Sequence, residues 1–210
     1  MNLLQELADN LIAGKMAEVA SLTEEALNRK LTADLILNEG LLAGMSVISK
    51  RFKDGIIFIP EVLIAARAMN KGLQILEPQL AIEGSRHRGT LLIGTVQGDL
   101  HDIGKNLVGI LFRGAGFKVI DLGTNVSTTA FMTGVQKHDP DIIGLSALLT
   151  TTMTNMADVI SLLRENGIQT PVIVGGAPLS AEFAASIKAD AFAASAAEGV
   201  EKVLTLMGQS

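Results

Sequence analysis

The apolar residues of this chain change their period once, at Gly84-Ser85-Arg86-His87-Arg88-Gly89, and that change separates two architectures. Upstream the spacing is helical. Leu3, Leu4, Leu7, Leu11 and Ile12 recur at three and four residues, and Met16, Val19, Ala20, Ala26 and Leu27 resume the pattern after Gly14. Ser21-Leu22-Thr23-Glu24 has the form of a capping box interrupting this second segment. A third helix is predicted from Thr32 to about Phe52, and a fourth over Pro60 to Leu76, where Pro60 suits the first helical position. Four helices before residue 84 predict a small bundle.

Downstream, short apolar runs alternate with amphipathic segments. Strands are predicted at Leu91–Val96, Lys118–Leu122, Ile142–Ser146, Val172–Gly175 and Ala191–Ala194. Helices are predicted at about His101–Ala115, Thr128–Lys137, Thr152–Asn166, Ser180–Ile187 and Glu198–Met207. Such alternation builds a parallel sheet with helices on both faces. Of 21 glycines, six precede residue 86 and fifteen follow it, where an α/β sheet needs them at its turns. The expected class is α/β: an N-terminal four-helix bundle over 1–84, a short basic-polar linker at 85–89, and a flavodoxin-like (Rossmann-type) five-stranded parallel sheet domain over 90–210.

Composition narrows the function classes. With 48% hydrophobic and 19% charged residues, a packed core is expected, not disorder. A net charge of −5 and the lack of a dense Lys/Arg run speak against a nucleic-acid partner. The absence of cysteine excludes disulfides, iron–sulfur clusters and thiolate zinc sites, and suits a reducing compartment. The N-terminus has no basic n-region, and no apolar run approaches the roughly 18 residues of a membrane span. A cytoplasmic protein without a membrane partner is expected.

The chemistry concentrates in Gly98-Asp99-Leu100-His101-Asp102-Ile103-Gly104, directly after the first strand. Ligands of open α/β sheets bind at the carboxyl ends of strands. Neutral imidazole is the commonest transition-metal ligand, and a neighbouring carboxylate fixes its tautomer. Nucleotide readings fail. Gly94-Thr95-Val96-Gln97-Gly98 lacks the dinucleotide spacing, and Gly98 to Gly104-Lys105-Asn106 has five intervening residues and ends in Asn, unlike a P-loop. A phosphoacceptor would want Asp where the third strand ends in Ser146. His101, Asp99 and Asp102 supply at most three local ligands, too few for a self-sufficient zinc site with fixed geometry. On spacing alone the loop reads first as a helix cap with a surface histidine. Taken singly, Gly175-Gly176 reads as an ordinary turn, Thr150 to Thr152 as a cap, and Asp102 as a charge favouring a helix N-terminus rather than a metal ligand. Lys105 reads as a solvated helix face or as the counter-charge to a cofactor phosphate or partner carboxylate.

Taken together, Asp99-x-His101-x-x-Gly104, then Ser146-x-Leu148, then Gly175-Gly176 resemble the three-part signature of cobalamin-binding domains, as in methionine synthase, cobalamin-dependent mutases and small corrinoid methyl carriers. The parts follow the first, third and fourth predicted strands. The helical half, with Pro60-Glu61-Val62-Leu63 and Ala65-Ala66-Arg67-Ala68-Met69, resembles the bundle of the corrinoid carriers of three-component methyltransferases and O-demethylases, so the likeness covers nearly the whole chain. The resemblance implies cobalamin as cofactor. Its lower base leaves cobalt and its nucleotide tail enters the sheet domain, with His101 as the metal ligand in place of the base. Asp99 would orient the imidazole, Gly104 would leave room for the tail, and Gly98, Leu100, Asp102 and Ile103 would complete the loop. Ser146 would meet the buried base with Leu148 packed nearby, and Thr150 would hydrogen-bond the corrin or its tail. Thr152 stands where methionine synthase extends the relay with a serine, and Gly175 and Gly176 would admit the tail to the fourth strand.

The same resemblance implies a non-catalytic carrier. It would take a methyl group from a substrate-specific corrinoid methyltransferase and yield it to a second methyltransferase acting on tetrahydrofolate or a thiol such as coenzyme M, with a reductive activator as a further partner. The helical half would be a cap that moves on its linker. Two other classes share the signature. The cobalamin-binding subunit of a mutase serves a radical-substrate barrel for which this chain has no room. A B12-dependent regulator or sensor would want a basic recognition helix, which the acidic first half lacks, and a light sensor would favour bulky aromatics where this chain has no Trp or Tyr.

Overall fold

The computed structural model describes residues 2–83 and 87–208. They divide into two compact units, one running up to His87 and including Gly114–Gly116, the other comprising Arg88–Arg113 and the residues from Phe117 onward. Of the expected linker, Ser85 and Arg86 lie outside the described residues, and His87 and Arg88 are exposed.

In the helical unit, α1 (Leu3–Ile12) and α2 (Met16–Asn28) precede α3 (Ala33–Ile36), which continues through a π-helical turn (Leu37–Leu42) into α4 (Ala43–Lys53); α5 (Ile59–Glu83) completes four rods. Asn2 and Thr32 cap α1 and α3, their side-chain oxygens accepting from Leu4 N and Leu35 N, each at 3.2 Å. The π turn has a packing cause. Ile36, Leu41, Met45 and Ile48 are all buried, yet the first two stand five residues apart, one more than an α-helix keeps on one face. The wider turn absorbs that residue. Gly40 within it lets α1 approach, since a Cβ there would stand 2.6 Å from Leu7 Cδ2.

Two expectations fail in this unit. Ser21-Leu22-Thr23-Glu24 does not interrupt α2: Thr23 is fully buried and its hydroxyl donates to Val19 O at 2.7 Å, one turn back, so the segment stays helical beside Val19 and Ala26. The fourth helix does not stop at Leu76 but runs through the exposed Pro78 to Glu83. The carboxylate of Glu83 accepts from Ala33 N at 3.1 Å and Asp34 N at 3.3 Å, and this long-range tie caps α3 while holding the last turns of α5 despite the amide that Pro78 lacks.

The sheet unit contains β1 (Thr90–Thr95), α6 (Ile103–Gly114), β2 (Lys118–Asp121), α7 (Thr128–His138), β3 (Ile142–Ser146), α8 (Asn155–Glu165), β4 (Val172–Gly175), α9 (Ala181–Ser186), β5 (Ala191–Ala193) and α10 (Ala196–Leu206). The strands pair in parallel in the order β2-β1-β3-β4-β5, with Leu92 in register with Ile120 on one side and Ile143 on the other. This is the expected flavodoxin-like order, with its topological switch between β1 and β3. Leu92, Ile143, Leu145, Val172 and Val174 fill one face against Phe131 of α7 and Met156 of α8. Strand alternation puts Gly144, Ser146, Gly175 and Ala193 on the other face, where their small side chains leave space.

The edge remote from the switch-point loops is tied by two aspartates, each just ahead of a strand. Asp141 Oδ2 accepts from Thr90 N at 2.7 Å, and Asp190 Oδ2 accepts from Val172 N at 2.7 Å and from Arg164 Nη2 at 2.8 Å. Asp190→Ala, leaving Val172 N–H without its acceptor, is expected to lower stability in urea titration by about 1–2 kcal/mol, and a midpoint equal to wild type would show that water replaces the carboxylate fully. Among the described residues no helix is long and apolar enough to cross a membrane.

Candidate functional site

Beyond the carboxyl ends of β1 and β3, the loops after each strand meet on one buried carboxylate. Asp99 is fully buried and accepts from His101 N (3.0 Å), the His101 ring at Nδ1 (2.8 Å), Leu148 N (2.7 Å), Leu149 N (3.3 Å) and the Thr152 hydroxyl (2.7 Å). Burial by itself pushes this carboxyl up; the hydrogen bonds from Leu148, His101 and Thr152 outweigh it and hold Asp99 well below the usual carboxylate range. It is therefore an anion that fixes the imidazole through Nδ1. The His101 side chain is 52% exposed, and its Nε2 has no hydrogen-bond partner among the described residues. Thr152 is buried, and its main-chain N–H donates to Leu149 O at 3.1 Å, which keeps 149–154 in turns and delays α8 to Asn155, three residues after the predicted start.

Beside this pair a cavity of about 500 Å³ opens over the small-residue face of the sheet. Leu91 and Ile93 form its floor, Leu107 and Phe112 of α6 one wall, and Ser146 and Gly175 the strand ends. A Cβ on Gly104 would meet nothing within 4 Å, so this residue borders open space. Gly176 is different: at φ +146° a Cβ would lie 1.8 Å from Ala147 O, so only glycine fits. Exposed apolar side chains line the cavity, Leu100 at 73%, Ile103 at 74% and Leu148 at 43%, with Leu149 at 41% next in the chain. Such exposure clustered at one histidine suits a large, flat, partly apolar ligand.

Of the residues singled out in sequence, Leu100, His101, Asp102, Ile103, Gly104, Ser146, Leu148, Gly175 and Gly176 line this cavity. Asp99 and Thr152 sit behind it. Gly98 and Thr150 are exposed outside its walls, Gly98 in a left-handed turn at φ +81°. Leu148 reaches Asp99 through its main-chain N–H. Asp102 accepts from Asn106 Nδ2 at 3.0 Å at the start of α6. Lys105 is no solvated face: it lines the cavity. It is 3% exposed, and its ammonium is paired with Asp121 at the end of β2 and bonded to Asn106 Oδ1 at 2.9 Å. Gly144, Ala193 and Gly199 also line the cavity and belong to no motif; the run of small residues on alternate strand positions is the signal that marks the first two.

Among the described residues no group of three His, Cys, Asp or Glu side chains could hold a metal ion. One free imidazole nitrogen suits a metal that arrives already held by other ligands, and the adjoining cavity suits that group's appended tail. The residues present fit a corrinoid.

Comparison with known proteins agrees. Residues 89–204 match the B12 binding domain family, and residues 3–77 match a second B12 binding domain family. A corrinoid protein of Desulfitobacterium hafniense is 41% identical over 100% of this chain and 99% of its own length. Dimethylamine corrinoid protein 3 of Methanosarcina acetivorans is 40% identical over 98% of this chain and 97% of its own. Among solved structures, the methanol:cobalamin methyltransferase complex MtaBC of Methanosarcina barkeri superposes with a TM-score of 0.90 at 28% identity, covering 99% of this chain and 80% of that one. A cobalamin-binding protein of Desulfitobacterium hafniense DCB-2 gives 0.79 at 27%, covering 97% and 98%. With family matches in both halves and relatives similar over its full length, this chain belongs to the cobalamin-binding corrinoid proteins.

Proposed function

We propose that this corrinoid protein is a methyl carrier that binds cobalamin with His101 as the lower axial ligand in place of the cofactor's own base. The observation that carries the reading is the Asp99–His101 pair, with one ring nitrogen held at 2.8 Å and the other free at the mouth of the cavity. Cobalt in the corrin supplies the nucleophile that accepts and releases a methyl group. The chain's own residues do the rest. Asp99 keeps the proton on Nδ1, so that Nε2 presents a lone pair. Ser146, Gly104 and Gly175 border the space for the nucleotide tail. Leu100, Ile103, Leu148 and Leu149 offer apolar surface to the macrocycle and exclude water beneath it. Thr152 anchors Asp99 from behind, the relay position filled here by threonine.

The partners that fit are a substrate-specific corrinoid methyltransferase, a second methyltransferase passing the group to tetrahydrofolate or a thiol, and a reductive activator. Similarity to dimethylamine corrinoid protein 3 over 98% of this chain, and to trimethylamine corrinoid protein 1 at 39% identity over 90% of it, supports a methylated amine as the donor. The test is reconstitution with hydroxocobalamin followed by visible spectra and EPR of the Co(II) form, for wild type and His101→Ala. Wild type is expected to show nitrogen superhyperfine splitting that responds to ¹⁵N labelling of the protein and is lost in the variant. Failure to take up the corrinoid refutes the reading; uptake with identical spectra removes the axial role from His101.

A further inference from the structure

The loop carrying His101 is held by side chains that reach it from three other places, none of them part of the cobalamin signature. Asn125, between β2 and α7, binds the loop at two points: its Oδ1 accepts from Gly98 N at 2.8 Å and its own N donates to Asp99 O at 2.9 Å. Asn155, the first residue of α8, donates from Nδ2 to Gln97 O at 2.7 Å. Thr95, fully buried at the end of β1, donates from Oγ1 to His101 O at 2.9 Å. Because every partner is a main-chain group, the roles are forced: a peptide N–H only donates and a carbonyl only accepts. Asn125 sits at φ +53°, a left-handed conformation that asparagine and aspartate tolerate, facing Gly98 at φ +81°. Four main-chain groups across residues 97–101 are thus satisfied from outside the loop.

The geometry points to Asn125 and Asn155 as positioning residues for the axial ligand, fixing the peptide that carries Asp99 and His101 before any cofactor arrives. They touch neither the imidazole nor the cavity. Asn125 works as an acceptor and Asn155 as a donor. The inference rests on the carrier reading for its consequence at cobalt, and on the protein alone for its geometry.

The opposite roles give a test that simple damage to the fold would not mimic. Asn125→Asp keeps an acceptor for Gly98 N–H, whereas Asn155→Asp sets a carboxylate against the Gln97 carbonyl. In the cofactor-free protein, NMR hydrogen exchange at the Gly98 amide is expected to quicken about fivefold in Asn125→Ala, the scale of one lost hydrogen bond, and to stay near wild type in Asn125→Asp. After loading with hydroxocobalamin and reduction, the fraction of Co(II) showing protein-nitrogen splitting is expected to fall in Asn125→Ala, Asn155→Ala and Asn155→Asp and to be retained in Asn125→Asp. Unchanged Gly98 exchange in Asn125→Ala overturns the positioning role, as does Asn155→Asp matching wild type or Asn125→Asp matching Asn125→Ala. Wild type that never takes up corrinoid overturns the carrier reading and the axial role with it, whatever the amide data show.

Discussion

Asp99→Asn is expected to leave a folded protein that has lost histidine ligation and about 2–3 kcal/mol of stability. The carboxylate accepts five hydrogen bonds through two oxygens, and an amide has only one. With its oxygen turned to Leu148 N, Leu149 N and Thr152, the new NH₂ faces His101. The ring would then accept at Nδ1 and carry its proton on Nε2, the atom that must offer a lone pair. The measurement is the Co(II) EPR spectrum with ¹⁵N-labelled protein, alongside urea unfolding; protein-nitrogen splitting of wild-type strength in the variant would refute the tautomer argument. The pH dependence follows with a definite sign. Because the folded Asp99 titrates well below its unfolded value of about 3.9, its contribution is complete above that value and declines as pH falls through the interval between the two. The expected slope is at most about 1.4 kcal/mol per pH unit below pH 4, and it should be missing from Asp99→Asn.

Gly176→Ala should be as damaging through the backbone. A methyl 1.8 Å from Ala147 O cannot be accommodated by a rotamer, and φ +146° is costly for any side chain. The peptide that must yield leads into Leu148, whose N–H holds Asp99, so the disturbance passes from β4 to the ligand loop. A loss of about 3 kcal/mol or more is expected, together with loss of corrinoid retention. Gly175→Ala is the internal control. Its Cβ would lie 3.3 Å from Ala193 O without a left-handed φ, and about 1 kcal/mol is expected. Equal unfolding midpoints for the two variants would contradict the argument.

Much of this was legible in the residues, for physical reasons that also mark where legibility ends. Ile142–Ser146 and Val172–Gly175 were placed to the residue because a fully buried strand is a continuous apolar run closed by a polar or glycine turn. Thr32 was readable as a boundary because capping is local. Thr23 was not, because a threonine hydroxyl serves a cap and a back-bond equally well and only burial decides. The end of α5 depends on Glu83 meeting α3 about fifty residues earlier in the chain, a spacing no periodicity encodes. At the site, Asp99 and His101 were visible as a pair within one loop. The burial of Lys105 is not legible from local spacing, because its partner Asp121 is brought by a neighbouring strand. Asn125 and Asn155 act on main-chain atoms of the loop, and such partners leave no pattern of residue types to find.

The π turn at Leu37–Leu42 bears on how such chains diverge. A helix advances about 100° per residue, so one residue gained or lost in a regular helix swings everything downstream off its packing face. Here the surplus is confined to a single widened turn, and Met45 and Ile48 keep their places. The turn is thus the place where this lineage could add a residue to a long core helix without redesigning the half that follows. Removing one residue from that turn is therefore expected to leave the buried face of α4 in place, whereas removing one from within α4 would rotate all that follows off it.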